Sequence, residues 1–143
     1  GGRRVINNMK NMASKLGVAD YVTFTGRVPD KELLEMLNTS DICVNPDIAN
    51  EMNDKSTMNK IMEYMALGKA IVQFDLTEGR VSAEKASLYA KKNDSVDLAT
   101  KIIELLDSPE MRLDMGTYGI NRIENKLAWE FEEPTLLAAY NGL

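Results

Sequence analysis

The 143-residue chain contains no histidine and a single cysteine, Cys43. These scarcities exclude an intrachain disulfide and argue against a Cys/His zinc site; they also leave no imidazole to serve as general base or in a nucleophile relay. Basic residues are outnumbered by acidic ones, 17 to 22, for a formal net charge of −5. That balance withholds the broad positive footprint with which proteins hold nucleic acid. No run approaches the roughly 18 consecutive apolar residues of a membrane span. The opening "GGRRVINNMKN" has charge but no apolar stretch of the kind a secretory signal needs. Cys43, flanked by apolar residues in "DICVNP", reads as a small buried core residue. A reducing cytoplasm, or the inner face of a membrane, is the expected compartment. Hydrophobic residues at 44% and charged residues at 27% suit a globular domain with one core.

What is present alternates between two periods. "RRVINNMKNMASKLGV" carries apolar residues at helical spacing, with Gly17 where a helix cap belongs. "YVTFTG" reads as a short strand, and "PDKELLEMLNTS" as a helix with Leu33, Leu34 and Leu37 facing inward. "DICVNP" predicts a strand stopped at Asn45-Pro46, and 45–57 a polar loop. Met58, Ile61, Met62, Met65 and Ala66 form a core-facing stripe closed by Gly68. "KAIVQF" is a continuously apolar strand, as a parallel sheet buried on both faces requires. "LTEGRVSAEKA" predicts a turn and short helix, "SLYAK" a fourth strand, and "SVDLATKIIELLD" a helix capped by Ser95. Helices over 109–126 and 128–141 complete an α/β domain with a mostly parallel sheet.

In such sheets ligands bind beyond the carboxyl ends of the strands. The longest polar loop there feeds the helix in "DKSTMNKIMEYMALGKAIV". Its first backbone N–H groups, at Ser56, Thr57 and Met58, have no intrahelical acceptor and favour an anion such as phosphate. Asn59, Lys60 and Glu63 fall on a polar arc away from the stripe. A carboxylate there suits the hydroxyls of a ribose or sugar, so the helix reads as a seat for a sugar nucleotide. Lys60 and Glu63 as an ordinary i, i+3 surface ion pair, and Ser56 or Thr57 as a plain N-cap, are the plainer alternatives.

The order "VTFTGRVPDKELLEMLNTSDICVNP", then "NKIMEYMALGKAIVQFD", resembles the C-terminal donor-binding domain of GT-B fold, group 1 retaining glycosyltransferases. Within that family, "DKST" followed by "NKIMEYMA" is most similar to the branch containing aminosugar and fucosaminyl transferases of O-antigen assembly. The resemblance implies a Rossmann-like parallel sheet flanked by helices, lacking its first two βα units. Residues 1–143 would then be a single, N-terminally incomplete nucleotide-sugar-binding domain, with 128–143 as its closing helix. The implied activity is transfer of a sugar from a nucleoside diphosphate sugar, expected to be UDP-linked, to a hydroxyl of a lipid-linked or polysaccharide acceptor. This chain alone is expected to show no turnover.

Position by position, Glu63 matches the second glutamate of the family's E-x7-E signature, which binds the donor ribose. The first falls at Lys55, a departure that bears on contact with the donor sugar. Ser56, Thr57 and Met58 match the turn that meets the diphosphate, and Gly26, Arg27 and Val28 the loop beside the nucleobase. Lys60 occupies a position shared within the branch, where it pairs with Glu63 or approaches the phosphates. No metal or cofactor is expected beyond the donor itself. The expected partners are that donor and either the acceptor-binding domain or a second chain completing the sheet. Any membrane association would run through the absent domain. A non-catalytic nucleotide-sugar-binding module, one half of a split transferase, and a nucleotide-sugar epimerase are the alternatives.

Overall fold

Parallel strands cannot be joined by a hairpin; each pair needs a crossover, and the crossover helices decide what lies at which end of the sheet. The computed structural model describes residues 2–55 and 59–127. The expected diphosphate-binding turn at 56–58 and the closing helix at 128–143 lie outside the described residues. The chain divides into two units, residues 1–35 and 36–143.

In the first unit, α1 (Gly2–Lys15) ends as its sequence predicts. Gly17 has φ +71, its N–H bonds the carbonyl of Ser14, and the N–H of Val18 reaches back to Ala13. That pair of bonds satisfies carbonyls the helix leaves open, and the left-handed backbone is why glycine stands there. The strand expected at 21–26 does not form. Tyr21 closes a 3-10 turn (Ala19–Tyr21), and Val22 has extended dihedrals. A strand is defined by its pairing, and no described strand pairs with this segment. The next helix, α2 (Asp30–Thr39), buries none of its residues. Leu33 and Leu34 are exposed rather than inward, and Leu37 is half-buried. With no ladder at 21–26, the leucines lack the sheet face they were expected to cover.

The second unit holds the sheet. β1 (Ile42–Asn45), β2 (Ala70–Phe74) and β3 (Ser87–Ala90) lie side by side in chain order, all parallel, with Cys43 opposite Ile71 and Val72 opposite Leu88. Among the described residues β1 is an edge strand. All five residues of β2 are buried, as its unbroken apolar run predicts. On one face Ile71 packs with Ile61 and Met65 of α4 (Asn59–Ala66) and with Ala83, at the end of α5 (Thr77–Ala83). On the other, Ala70 and Val72 meet Leu105 of α6 (Ser95–Leu106) and Met115 of α7 (Pro109–Arg122). A π-helical turn, Ile123–Leu127, continues α7.

Three further expectations need correction. The loop 45–57 contains a short helix, α3 (Glu51–Lys55), because the Asn50 side chain accepts from the N–H of Asn53 and caps it. The cap of α6 is Asp94, whose carboxylate accepts from Asp97 N at 3.0 Å; Ser95 is the first helical residue. Ala66 is exposed, since at about 100° per residue it has rotated off the stripe that Ile61 and Met65 define.

Helix α4 ends at Gly68, with φ +70 and the same pair of bonds, Gly68 N to Met65 O and Lys69 N to Tyr64 O. Lys69 then donates to the carbonyls of Asn38 and Ser40, closing the last turn of α2. Helix α7 crosses this corner at backbone contact: a Cβ on Gly116 would stand 2.1 Å from the Gly68 carbonyl oxygen. Alanine normally stabilises a helix interior relative to glycine by roughly 0.5–1 kcal/mol. Here the clash reverses the sign, and Gly116→Ala is expected to lower the unfolding free energy by about 1–3 kcal/mol, read from urea denaturation.

Candidate functional site

The three strands end together at Asn45, Phe74 and Ala90, so the segments 46–50, 75–76 and 91–94 gather at one edge of the sheet. Helix α4 leads into the amino end of β2 and must run back along the sheet. Its first turn therefore lies at that same carboxyl edge.

Side chains bind this edge together over long sequence distances. Asn93, with φ +60, both accepts from Ala49 N at 2.7 Å and donates to Ala49 O at 3.2 Å, tying the segment after β3 to the one after β1. Asn53 donates to the carbonyl of Ile48. Asp54 accepts from both the backbone N–H and the hydroxyl of Thr77 at 2.8 Å, which caps α5 from 23 residues away. Asp75 holds Arg80 Nε at 2.7 Å, and the guanidinium lies over the Tyr89 ring, 4.1 Å from its centroid. Ala49, Asn50, Glu51, Asp54 and Lys92 line a hollow of about 260 Å³ there.

Two buried amides lie beneath. Asn45 and Gln73 are register partners on β1 and β2, each 1% exposed. Gln73 donates to Ser87 Oγ, and Asn45 Oδ1 accepts from Asp47 N at 3.4 Å. Among the described residues, Asn45 Nδ2 and Gln73 Oε1 have no partner. Such groups are costly, by about 1–3 kcal/mol each.

The expected site residues are distributed as follows. Glu63 is exposed on α4, with no hydrogen-bond or ion-pair partner among the described residues. Lys60 does not pair with Glu63; its ammonium lies 3.0 Å from Asp47 Oδ2. An i, i+3 pair needs both side chains to bend together, whereas Asp47 already stands at the helix flank. Lys55 is in the last turn of α3, paired at 2.9 Å with Glu51. Ser56, Thr57 and Met58 are outside the described residues. Gly26, Arg27 and Val28 belong to the first unit: Gly26 has φ +63, Gly26 and Arg27 are exposed, and Val28 is half-buried. Asp47 and Asp54 were not singled out from the sequence, and Asn45 was read only as a strand stop. The partners of Asp47 and Asp54 are set by tertiary approach, and no local spacing announces them.

The electrostatics follow these contacts. The backbone and hydroxyl bonds from Thr77 hold the Asp54 carboxyl below the usual carboxylate range, and the Arg80 hydrogen bond does the same for Asp75. Burial pushes the Tyr89 phenol up to about 12, and its hydroxyl donates to the Glu84 carbonyl. Burial also raises the Cys43 thiol, leaving it the inert core residue its flanks predict. Among the described residues, no three His, Cys, Asp or Glu side chains converge on a metal position, and no helix is long and apolar enough to cross a membrane.

A helix-flanked parallel sheet with its loops gathered at the carboxyl edge defines a Rossmann-like class of domain. The family profile described as "Glycosyl transferases group 1" matches residues 1–108, and the chain belongs to that family. Sucrose-phosphate synthase from Thermosynechococcus elongatus is similar in fold, at 20% identity and a TM-score of 0.84 over 99% of this chain. The match is to the GT-B C-terminal, Rossmann-like domain. This chain spans about a third of that protein's length, 34%. No curated protein matches the chain.

Depressed carboxyl groups contribute stability at neutral pH that disappears as pH falls through their folded-state values. Acidification from about pH 5 into the carboxylate range is therefore expected to lower the melting temperature of the wild-type chain. The double variant Asp54→Ala/Asp75→Ala should start lower at pH 7 and fall less over the same interval. Melting curves at stepped pH check this, and parallel curves would remove the assigned role of the two carboxylates.

Proposed function

We propose that this chain is the donor-binding part of a retaining glycosyltransferase that moves a sugar from a nucleoside diphosphate sugar, UDP-linked, to a hydroxyl of a lipid-linked or polysaccharide acceptor in O-antigen-type assembly. The observation that carries the reading is Glu63. An exposed carboxylate without a described partner stands on the crossover helix whose first turn lies at the ligand-binding edge of the sheet. Group 1 membership supports sugar transfer, as does the fold shared with a protein named for making sucrose phosphate.

In this reading Glu63 accepts hydrogen bonds from the two ribose hydroxyls. The backbone of residues 56–58 receives the diphosphate. The leaving diphosphate gains stabilisation from oriented N–H groups and nearby cations, which is how positioning and electrostatics lower such barriers. Lys55 brings a cation to a position that the resemblance assigns to a carboxylate near the donor sugar. That exchange favours tighter hold on the diphosphate over contact with the sugar, and it is the observation behind a second reading: a module that binds the donor without transferring from it.

Binding separates the family reading from an inert fold. In a calorimetric and thermal-shift panel of UDP-, GDP- and ADP-sugars, one base class should stabilise the wild-type chain. Glu63→Ala should weaken that donor about ten- to hundredfold, as expected for losing hydrogen bonds to a charged group. Equal affinity of the variant and the wild type would remove Glu63 from the site.

A further inference from the structure

Lys60 stands one turn before Glu63 on α4, and its charge is already engaged. The ammonium lies 3.0 Å from Asp47 Oδ2, with the two side chains 40% and 31% exposed. Asp47 in turn donates its backbone N–H to Oδ1 of Asn45. Asn45 is the last residue of β1, buried and in register with Gln73 in the middle strand. A continuous set of contacts thus runs from the sheet, through Asn45 and Asp47, to Lys60 and the helix that carries Glu63. A phosphate approaching Lys60 would have to displace Asp47 and would leave that carboxylate beside its own negative charge.

We propose that Asp47 and Lys60 are positioning residues for donor binding: their ion pair holds α4, and with it Glu63, at a fixed setting against the carboxyl edge of the sheet, and Lys60 is not a ligand of the diphosphate. The inference rests on the reading of Glu63 as the ribose carboxylate. A half-exposed pair contributes little to the stability of the whole fold. Its removal leaves the protein folded and alters the setting of one short helix. Helix α4 has eight residues and is anchored on the core by Ile61 and Met65, while Lys60 in its first turn meets Asp47 at the carboxyl edge, so loss of the pair is felt at that end of the helix.

The two roles for Lys60 predict opposite signs. If Lys60 bound phosphate, Asp47→Asn would free it and tighten the diphosphate, while Lys60→Met would weaken the diphosphate and spare the nucleoside. If the pair is a strut, both variants weaken nucleoside and diphosphate by the same factor. The probes are UDP against uridine, GDP against guanosine and ADP against adenosine. They are titrated by calorimetry and ligand-observed NMR into the full chain, at a temperature where circular dichroism shows every variant folded. Asp47→Asn and Lys60→Met are each expected to weaken both members of the bound pair about three- to tenfold, and the double variant no more than either alone, the signature of one shared contact. Lys60→Arg, which still reaches Asp47, should stay within about twofold of wild type. Tighter diphosphate binding by Asp47→Asn, a loss confined to the diphosphate in Lys60→Met, or no change in either overturns the inference. If binding fails only in Glu63→Ala, the donor reading stands and this one falls. A wild-type chain that binds none of the six probes overturns both.

Discussion

The structure depends first on how helix α4 is seated. β1 and β2 are parallel, so residues 46–69 must leave one edge of the sheet and return at the other. An eight-residue helix has little stability of its own, and tertiary burial must supply it. Ile61 and Met65 provide that burial against Ile71, and each fully buried side chain of this size is worth about 1.5–3 kcal/mol. The other end is fixed by the turn at Gly68, where Gly116 lets α7 approach the backbone directly. The core and the Gly68 turn thus seat α4 and turn its polar arc, with the exposed Glu63, away from Ile71, and the Asp47–Lys60 pair acts on the first turn of the helix.

Core and edge are held by different physics. Under the helices the contacts are apolar and dense, and they resist change because any cavity or clash is felt at once. At the carboxyl edge the contacts are single hydrogen bonds and half-exposed ion pairs, each weak in water. Their number and direction matter more than their strength. Asn93 to Ala49 and Asp54 to Thr77 join segments that follow different strands, and Asp47 to Lys60 ties α4 to the start of the loop after β1. An edge fixed this way can adjust to a ligand without disturbing the sheet. The buried amides Asn45 and Gln73 sit at the boundary between the two regimes, where β1 and β2 pass from core to loop.

Legibility in the sequence follows the same division. The buried strands announce themselves in "DICVNP" and "KAIVQF", since unbroken apolar runs bounded by turn formers have few other uses. The stripe at Ile61 and Met65, and the glycines at 17 and 68, mark helix faces and ends through local rules alone. The segment 21–26 has the same β-branched and aromatic character yet makes no strand among the described residues. Strand formation is a property of a pair, and composition describes only one partner. The exposed Leu33 and Leu34 misled for the same reason: a leucine stripe records a face without recording what covers it. The exposure of Glu63 was legible because a residue set off a core stripe is a local pattern. Asp47 and Asp54 were not, because what makes them matter is a partner 13 or 23 positions away.

The two lysines that flank the start of α4 show how much surroundings alter one residue type. Lys55 ends a five-residue helix and pairs with Glu51, with both side chains mostly in solvent at 73% and 85% exposure. Water screens that pair strongly, so an anion arriving nearby competes with Glu51 at little cost. Lys60 pairs with an aspartate less than half as exposed, itself hydrogen-bonded to a buried strand end. Drawing Lys60 away would leave Asp47 partly desolvated and unpaired, a larger penalty than the one facing Glu51. In the donor reading the labour therefore divides by burial: the looser cation is the one able to turn toward a diphosphate, and the tighter one fixes the helix from which Glu63 reaches the ribose.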